Sequence, residues 1–317
     1  MESSNRFVGV ILAAGKGTRM APFSQRFPKP LLPICNRPIL EYQIEYMKKA
    51  GIHDVILVIG HLGYAIARHF GDGDSFGVRI RYVEQETTLG IAHAVGKLEP
   101  HISSPFLLFL GDIFFITDDL SLMMNRMAEE KASAVLAVKR EQDPEAIKRN
   151  FAVLLNEEGR VKRVIEKPRY VTNSIKGCGL YLFDLHIFDA IRRTPRTAMR
   201  DEYEITDAIQ ILVDDGFPVV AADIVREDMN VSYPHDLLLC SLEELRHRNQ
   251  PYLVGKDCGL HPGVRLERTV VGDRVRISTP IRITDSVLFP DTVVDSPVDL
   301  DKYIVTPETW IDCKYFF

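Results

Sequence analysis

The residues with the clearest chemical meaning lie near the N-terminus, where an apolar run over 8–14 ends in a glycine-rich, basic turn. Residues 15–19 read Gly-Lys-Gly-Thr-Arg, and the two glycines allow a tight turn whose backbone N–H groups can face an anion. Arg19 adds a forked cation that suits phosphate oxygens. Further along, Lys29 lies between two prolines that restrict its backbone. Together these features predict a site for a polyphosphate.

The spacing fits the common phosphate motifs poorly. A P-loop requires serine or threonine after its Gly-Lys pair, but Gly17 follows Lys16. The dinucleotide fingerprint requires a third glycine where Met20 stands. Residues 11–33 instead resemble the signature of the sugar-1-phosphate nucleotidyltransferases (NDP-sugar pyrophosphorylases), Gly-x-Gly-Thr-Arg followed by Pro-Lys-x-Leu-x-Pro. Further matches extend over about 7–240, and the chain is most similar to long-type glucose-1-phosphate thymidylyltransferases.

This resemblance implies roles for the residues of the signature. It implies that Arg19, Lys29 and Lys167 are the catalytic cations. It also implies that the nucleotide is bound by residues at and after the first strand, which are Leu12, Ala14, Gly15, Gly17 and Thr18.

The resemblance further implies that Asp112 binds a metal ion. Asp112 follows the most apolar run of the chain, where a carboxylate needs a cation or hydrogen bonds. The family places a Leu-Gly-Asp ligand for Mg²⁺ here, and Mg²⁺ prefers one or two carboxylates plus phosphate oxygens. The family's second ligand segment aligns with residues 228–236 and puts Asn230 at the ligand position, with Asp223 and Asp228 as the alternative ligands. A helix-capping role for Asp112 is the alternative.

Residues 166–168 match the Glu-Lys-Pro motif that holds the sugar phosphate in this family. The match implies that Lys167 neutralises the phosphate and that Glu166 accepts sugar hydroxyls. Ala152 stands where the family has a Tyr-Gly sugar contact. Gly179 ends a Gly-Cys-Gly stretch where mannose-handling branches often have Asn-Ala-Gly. The identity of the sugar therefore stays open.

Residues 85–95, QETTLGIAHAV, resemble the base-recognition loop of thymidylyl- and uridylyltransferases. The amide of Gln85 can pair with both O4 and N3 of a pyrimidine. Gly90 allows a close approach of the backbone. We interpret His93 as a packed helical residue rather than a catalyst. The loop favours TTP or UTP, and GTP or CTP are the alternatives.

Strand and helix patterns alternate as far as about residue 245. Apolar runs over 55–59 and 106–110 predict strands, and helical spacing over 39–50 predicts a helix. Alternation of this kind predicts an α/β fold with a doubly wound, mixed, Rossmann-like sheet whose binding loops follow the strands. We therefore predict a catalytic domain over residues 1–245.

The pattern changes over residues 246–317, which we predict to form a second, small β domain. Short β-branched pieces separated by turns, such as 264–266, 275–277 and 281–283, resemble degenerate hexapeptide repeats. They predict a short left-handed β-helix with an apolar tail over 310–317. A small antiparallel β domain is the alternative.

The composition is that of an ordinary globular protein. The chain has 317 residues, of which 46% are hydrophobic and 26% are charged, and its net charge of −5 gives no indication of nucleic-acid binding. Its five cysteines are dispersed without a CxxC pair, so neither a disulfide framework nor a zinc site is predicted. With no pattern of a signal peptide or membrane helix, we expect a cytoplasmic protein.

These observations predict an enzyme that transfers a nucleoside monophosphate from a nucleoside triphosphate to a sugar-1-phosphate. The expected partners are these two substrates and further copies of the chain in a homo-oligomer, without nucleic acid or membrane. A non-catalytic regulatory homologue is one alternative, but such relatives commonly lose the signature arginine or lysine. An unrelated nucleotide-binding module is another, and it would not explain the Glu-Lys-Pro motif.

Overall fold

The computed structural model describes residues 7–198 and 200–316, which fall into two compact units. We call the first the sheet unit; it contains the chain up to Lys16 and Tyr42–Asp228. The second, the coil unit, contains Gly17–Glu41 and the chain from Met229 onward. The predicted division into domains 1–245 and 246–317 stays a prediction, and residues 1–6, 199 and 317 of those ranges lie outside the described residues.

The strands before the C-terminal region are β1 (Val8–Ala13), β2 (Pro33–Ile34), β3 (Arg37–Pro38), β4 (Asp54–Ile59), β5 (Arg79–Glu84), β6 (Phe106–Leu110), β7 (Ile113–Thr117), β8 (Ala134–Arg140), β9 (Phe151–Leu155), β10 (Val161–Glu166), β11 (Ile175–Phe183), β12 (Val219–Asp223) and β13 (Val225–Asn230). The C-terminal strands are β14 (Tyr252–Val254), β15 (Gly259–Leu260), β16 (Arg265–Glu267), β17 (Thr269–Val271), β18 (Arg276–Ile277), β19 (Arg282–Thr284), β20 (Val287–Leu288), β21 (Val293–Val294), β22 (Leu300–Asp301), β23 (Tyr303–Val305) and β24 (Trp310–Asp312).

The helices are α1 (Ile39–Lys49), α2 (Gly63–Phe70), α3 (Ile91–Gly96), α4 (Ser121–Glu129), α5 (Pro144–Arg149), α6 (His186–Arg193), α7 (Ile205–Asp214) and α8 (Pro234–His247). Short 3₁₀ turns add Thr18–Met20, Phe23–Gln25, Lys29–Leu31, Asp74–Phe76, Glu99–His101 and Lys314–Phe316. No helix among the described residues is long and apolar enough to span a bilayer.

The sheet unit is built on a mixed sheet in the order β10-β9-β11-β6-β1-β4-β5; β8 also pairs with β11, and β12 pairs with β8. The strands β6, β1, β4 and β5 are parallel, whereas β11 pairs antiparallel with β6. Apolar side chains of this sheet pack against α3, α6 and α7 in one core. The near-continuous apolar sequence of β1, β4 and β6 is typical of parallel strands buried on both faces.

The C-terminal part of the coil unit consists of short strands stacked in three parallel sheets, β14-β17-β20-β23, β15-β18-β21 and β16-β19-β22. Equivalent residues of successive coils are 17 apart: Arg268 pairs with Asp285 and Arg274 with Asp291, each over 2.6 Å. The interior is aliphatic, with Val271, Ile283 and Leu288 fully buried. Three stacked parallel sheets are consistent with the predicted β-helix.

The structure confirms the predicted fold class. The mixed α/β sheet is present, and β6 spans the predicted residues 106–110. The C-terminal strands pair in parallel, which contradicts the alternative of an antiparallel domain; β24 alone among the paired C-terminal strands described runs antiparallel, on β23. The β-helix and its left-handed sense stay predictions.

Candidate active site

Three predicted site residues follow neighbouring parallel strands of the sheet unit. Gly15 follows β1, Gln85 follows β5 and Asp112 follows β6. Because β5, β4, β1 and β6 are adjacent and parallel, their carboxyl ends lie along one edge of the sheet. Open α/β sheets bind their ligands at this edge.

Close backbone contacts hold the ends of these strands together. The N–H of Gly111 donates to the carbonyl of Leu12 over 2.9 Å, and a Cβ at Gly111 would lie 2.7 Å from that oxygen. Likewise, a Cβ at Gly60 would lie 2.8 Å from the carbonyl oxygen of Ala14. Leu12 and Ala14 therefore shape this edge of the sheet through their backbones. Gly111 allows the chain to pass close to Leu12 directly before Asp112.

Asp112 is half-buried at the end of β6, and Asn230 is the exposed last residue of β13. In the described part of the chain, no group of three or more His, Cys, Asp or Glu side chains could hold a metal ion. A zinc site takes three or four protein ligands. Mg²⁺ needs fewer, because it keeps water and takes substrate phosphate oxygens as ligands.

The predicted base loop begins at the same edge. The N–H of Gln85 donates to the Ile59 carbonyl over 2.8 Å, which extends the β5–β4 pairing by one residue. The side-chain amide of Gln85 donates to the carbonyl of Thr87 over 3.1 Å. The loop thus orients this amide before any ligand binds.

The chain segment at Tyr203 braces the far end of this loop. The backbone N–H of Tyr203 donates to the carbonyl of Leu89 over 2.8 Å, and the backbone carbonyl of Tyr203 accepts from the N–H of Ala92 over 3.0 Å. Gly90, at φ 102°, approaches Tyr203 so closely that a Cβ would lie 2.4 Å from its carbonyl oxygen. The ring of His93 stacks on Tyr203 at 6.2 Å between centroids, and burial lowers the pKa of His93. The absence of a side chain at Gly90 thus allows the loop to pack against the backbone of Tyr203.

Glu166 lies in an acidic cluster around one arginine. Arg200 contacts the carboxylates of Glu166 at 3.3 Å and Glu204 at 3.0 Å, and the hydroxyl of Thr206 lies 3.4 Å from Glu166. Burial raises the pKa of Glu166, against the opposing charges of Arg200 and Lys167. Burial and the charge of Glu166 raise the pKa of Glu204. The cluster around Glu166 thus combines two carboxylates that accept hydrogen bonds with a guanidinium and a hydroxyl that donate them.

Lys167 directly follows β10 in a left-handed backbone conformation, at φ 43°. Its N–H donates to the carbonyl of Asn150 over 2.8 Å, and the residue is exposed. Non-glycine residues in this region cost about 1–3 kcal/mol and are concentrated at functional sites. The backbone is therefore fixed, and the residue is exposed to solvent.

Ala152 and Gly179 are buried in the same sheet. Ala152, 3% exposed in β9, pairs with Ile165 of β10 and Lys176 of β11. Gly179, at φ 65°, lies within the irregularity of the β8–β11 pairing, and a Cβ there would lie 2.6 Å from Ile113. Both residues thus have a packing role, and their predicted sugar contacts stay a prediction.

The two halves of the N-terminal signature meet within the coil unit. Gly17 is left-handed at φ 61° and begins the turn that contains Thr18 and Arg19. A Cβ at Gly17 would lie 3.3 Å from the Cβ of Lys29, which is only 8% exposed. The guanidinium of Arg19 lies over the ring of Tyr233, 5.3 Å from its centroid. The motif therefore places both cations on short, fixed turns.

Sequence reasoning missed Arg200, Tyr203 and Tyr233. Glu166, Leu89 and Arg19, which these residues respectively contact, lie far from them in sequence, and no local spacing marks the three contacts. It also missed a buried ion pair in the sheet unit, where Lys176 contacts Asp228 over 2.7 Å. The Asp228 side chain is 0% exposed, so this carboxylate serves Lys176 inside the fold.

Comparison with known proteins shows the family to which the chain belongs. The profile of the nucleotidyl transferase family matches residues 8–230. The chain belongs to this family. The match includes β1, the signature, the strand ends and β13, so the family recognised from the sequence is confirmed.

Named relatives are about one third identical to this chain over the aligned residues. A glucose-1-phosphate thymidylyltransferase of Streptomyces antibioticus is 32% identical, over 93% of this chain and 80% of its own length. A UTP–glucose-1-phosphate uridylyltransferase of Haloferax volcanii is 33% identical, over 72% of this chain and 92% of its own length. A low-salt glycan biosynthesis nucleotidyltransferase of the same organism is 32% identical over 73% of this chain, and the match covers 64% of that relative.

The fold is also found in a solved structure described as a glucose-1-phosphate thymidylyltransferase from Bacillus anthracis. The two superpose with a TM-score of 0.66 at 26% identity, over 74% of this chain and 94% of the other. The likeness supports the Rossmann-like assignment of the nucleotidyltransferase core.

Proposed function

We propose that this protein transfers a nucleoside monophosphate from TTP or UTP to a sugar-1-phosphate, giving an NDP-sugar and pyrophosphate. The observation that carries the proposal is the alignment of Gly15, Gln85 and Asp112 along one edge of the parallel strands. In family relatives named for this activity, the donors are thymidine and uridine nucleotides and the acceptor is glucose-1-phosphate.

In this reaction an oxygen of the sugar phosphate attacks the α-phosphorus, and the bond from that phosphorus to the bridging oxygen of pyrophosphate breaks. The nucleophile is already ionised, so no general base is required. The barrier arises from repulsion between two anions and from charge growing on the leaving pyrophosphate. Fixed positive charge and positioning lower such a barrier.

Arg19 and Lys29 supply that charge for the triphosphate. The forked guanidinium of Arg19 binds the leaving pyrophosphate together with the N–H groups of residues 15–18. Lys29 stabilises the charge at the transition state. Its turn and its burial to 8% exposure support this role, because a preorganised cation loses little freedom when the ligand binds.

Lys167 and Glu166 bind the second substrate. Lys167 neutralises the sugar phosphate, and its exposed side chain on a fixed backbone supports this role. Glu166 accepts hydrogen bonds from sugar hydroxyls, and Arg200 and Thr206 hold its carboxylate for that purpose. Ala152 and Gly179 shape the sugar site by their small size.

Nucleotidyltransferases generally depend on a metal ion, and we infer Mg²⁺ here. Asp112 would hold it, with Asn230 as the proposed second ligand. The ion would neutralise the α-phosphate and make the phosphorus more electrophilic. The cytoplasmic location and the homo-oligomer stay predictions.

The proposal is tested by pyrophosphate release over a grid of four nucleoside triphosphates and several sugar-1-phosphates, with Mg²⁺ present. We expect release that requires both substrates and is fastest with TTP or UTP. Lys29→Ala in the same assay controls for contaminating activity. No release with any pair would favour the regulatory homologue, and best turnover with GTP would contradict the base assignment.

A further inference from the structure

Tyr233 offers Arg19 an aromatic face in place of a carboxylate. The guanidinium carbon lies 5.3 Å from the ring centroid, and no ion pair to Arg19 occurs among residues 7–198 and 200–316. A carboxylate partner would occupy the forked N–H donors and neutralise the charge. A ring under the guanidinium plane restricts its orientation and leaves the N–H groups at its edge available for phosphate.

The backbone on either side of Tyr233 is fixed. Pro234 begins α8, and the carboxylate of Asp236 accepts the N–H groups of Ser232 and Tyr233, both over 2.7 Å. The N–H of Asp236 in turn donates to the carbonyl of Tyr233 over 3.0 Å. This helix start holds the Cα of Tyr233, so the ring itself is the part that needs further support.

That support comes from two more rings. His235 stacks on Tyr233 with centroids 5.6 Å apart and planes at 9°, and Phe316 stacks on His235 at 3.7 Å and 6°. Phe316 lies in a turn that follows Cys313, whose fully buried side chain and N–H bond to Lys302 anchor it on the last coil. The stack therefore joins the C-terminal segment to Arg19 inside the coil unit.

We propose that Tyr233 is a positioning residue for Arg19, and that His235 and Phe316 hold its ring in place. The inference rests on the proposed function, in which Arg19 binds the leaving pyrophosphate. Affinity for pyrophosphate and for the nucleoside triphosphate then depends on a ring near the C-terminus of the chain. Affinity for the sugar phosphate does not.

The test is binding of inorganic pyrophosphate to the full chain, measured by titration calorimetry with Mg²⁺. We expect Tyr233→Leu to weaken binding about fivefold, the scale of a partly desolvated cation–π contact, and Phe316→Leu about twofold. Tyr233→Phe keeps the face and should bind within twofold of the wild type. Tyr252→Leu is the matched control, because Tyr252 is 46% exposed and Tyr233 44%.

A double-mutant cycle separates positioning from general structure. In an Arg19→Ala background, Tyr233→Leu should change the pyrophosphate affinity no further. In steady-state kinetics, Tyr233→Leu should raise the KM for the triphosphate and leave the KM for the sugar phosphate unchanged. Equal weakening by Tyr233→Leu with and without Arg19, or by Tyr233→Phe and Tyr233→Leu alike, would overturn the inference.

The binding assay also separates this inference from the proposed function. A wild-type chain that binds pyrophosphate through Arg19 and Tyr233 but forms no NDP-sugar would refute the proposed function and support the inference. A wild-type chain that binds no pyrophosphate would refute the inference.

Discussion

The substitution Gly90→Ala tests whether this glycine serves the fold or the ligand. Gly90 has φ 102° and ψ 170°, a region that is almost restricted to glycine, where other residues cost about 1–3 kcal/mol. A Cβ there would lie 2.4 Å from the carbonyl oxygen and 2.7 Å from the nitrogen of Tyr203. Backbone atoms cannot rotate away, so the loop and Tyr203 must separate.

The separation would break the hydrogen bonds of Tyr203 to Leu89 and Ala92, each worth about 1 kcal/mol. With the strain, we expect Gly90→Ala to lower the free energy of unfolding by about 3–5 kcal/mol. Gly216→Ala is the matched control, since Gly216 has φ 84° and a Cβ at that position would meet no atom within 4 Å. That variant carries strain alone and should lose about 1–2 kcal/mol.

The assay is urea unfolding of both variants and the wild type without nucleotide, followed by the KM for the triphosphate. Equal losses of stability in Gly90→Ala and Gly216→Ala would refute the reasoning. A raised KM with wild-type stability would show that Gly90 is needed for the ligand, as its place in the base loop first suggested.

Further substitutions test the proposed roles. Lys29→Ala should lower kcat about 100-fold, because it removes a preorganised positive charge; since the side chain is only 8% exposed, thermal unfolding of the variant is measured alongside to show that it is folded at the assay temperature. Activity should vanish in excess EDTA, and Asp112→Asn should raise the Mg²⁺ concentration for half-maximal rate, since it removes a full charge. TTP or UTP should exceed GTP about tenfold in kcat/KM, and Gln85→Ala should shrink that ratio in a competition assay. Asp228→Asn should cost about 3 kcal/mol in urea unfolding, the low end for a broken buried ion pair, because it leaves the buried Lys176 with only the longer contact to Glu141 at 3.7 Å.

Much of the fold could be predicted because the decisive signals are local. The apolar run of β6 is bounded by residues that end a strand, so its limits agree with the structure. The coil unit shows the limit of such signals. Its 17-residue period becomes visible only through pairs such as Arg268 with Asp285, since the strands are too short to mark each coil.

The candidate site also contains features that the sequence predicts and contacts that only the structure reveals. The position of Asp112 after β6 followed from the sequence, because strand ends share one edge. The contacts of Arg200 with Glu166 and of Tyr233 with Arg19 did not, because long chain separations bring them together. Gly90 was recognised as a point of close approach, but its partner could be found only in the structure.

The most direct test of the central claim follows the α-phosphate of the triphosphate. With TTP or UTP labelled at that phosphate and the best sugar-1-phosphate, we predict that the label enters an NDP-sugar, with one unlabelled pyrophosphate formed for each product. Label released as a free nucleoside monophosphate or diphosphate, independent of the sugar phosphate, would contradict nucleotidyl transfer by this protein.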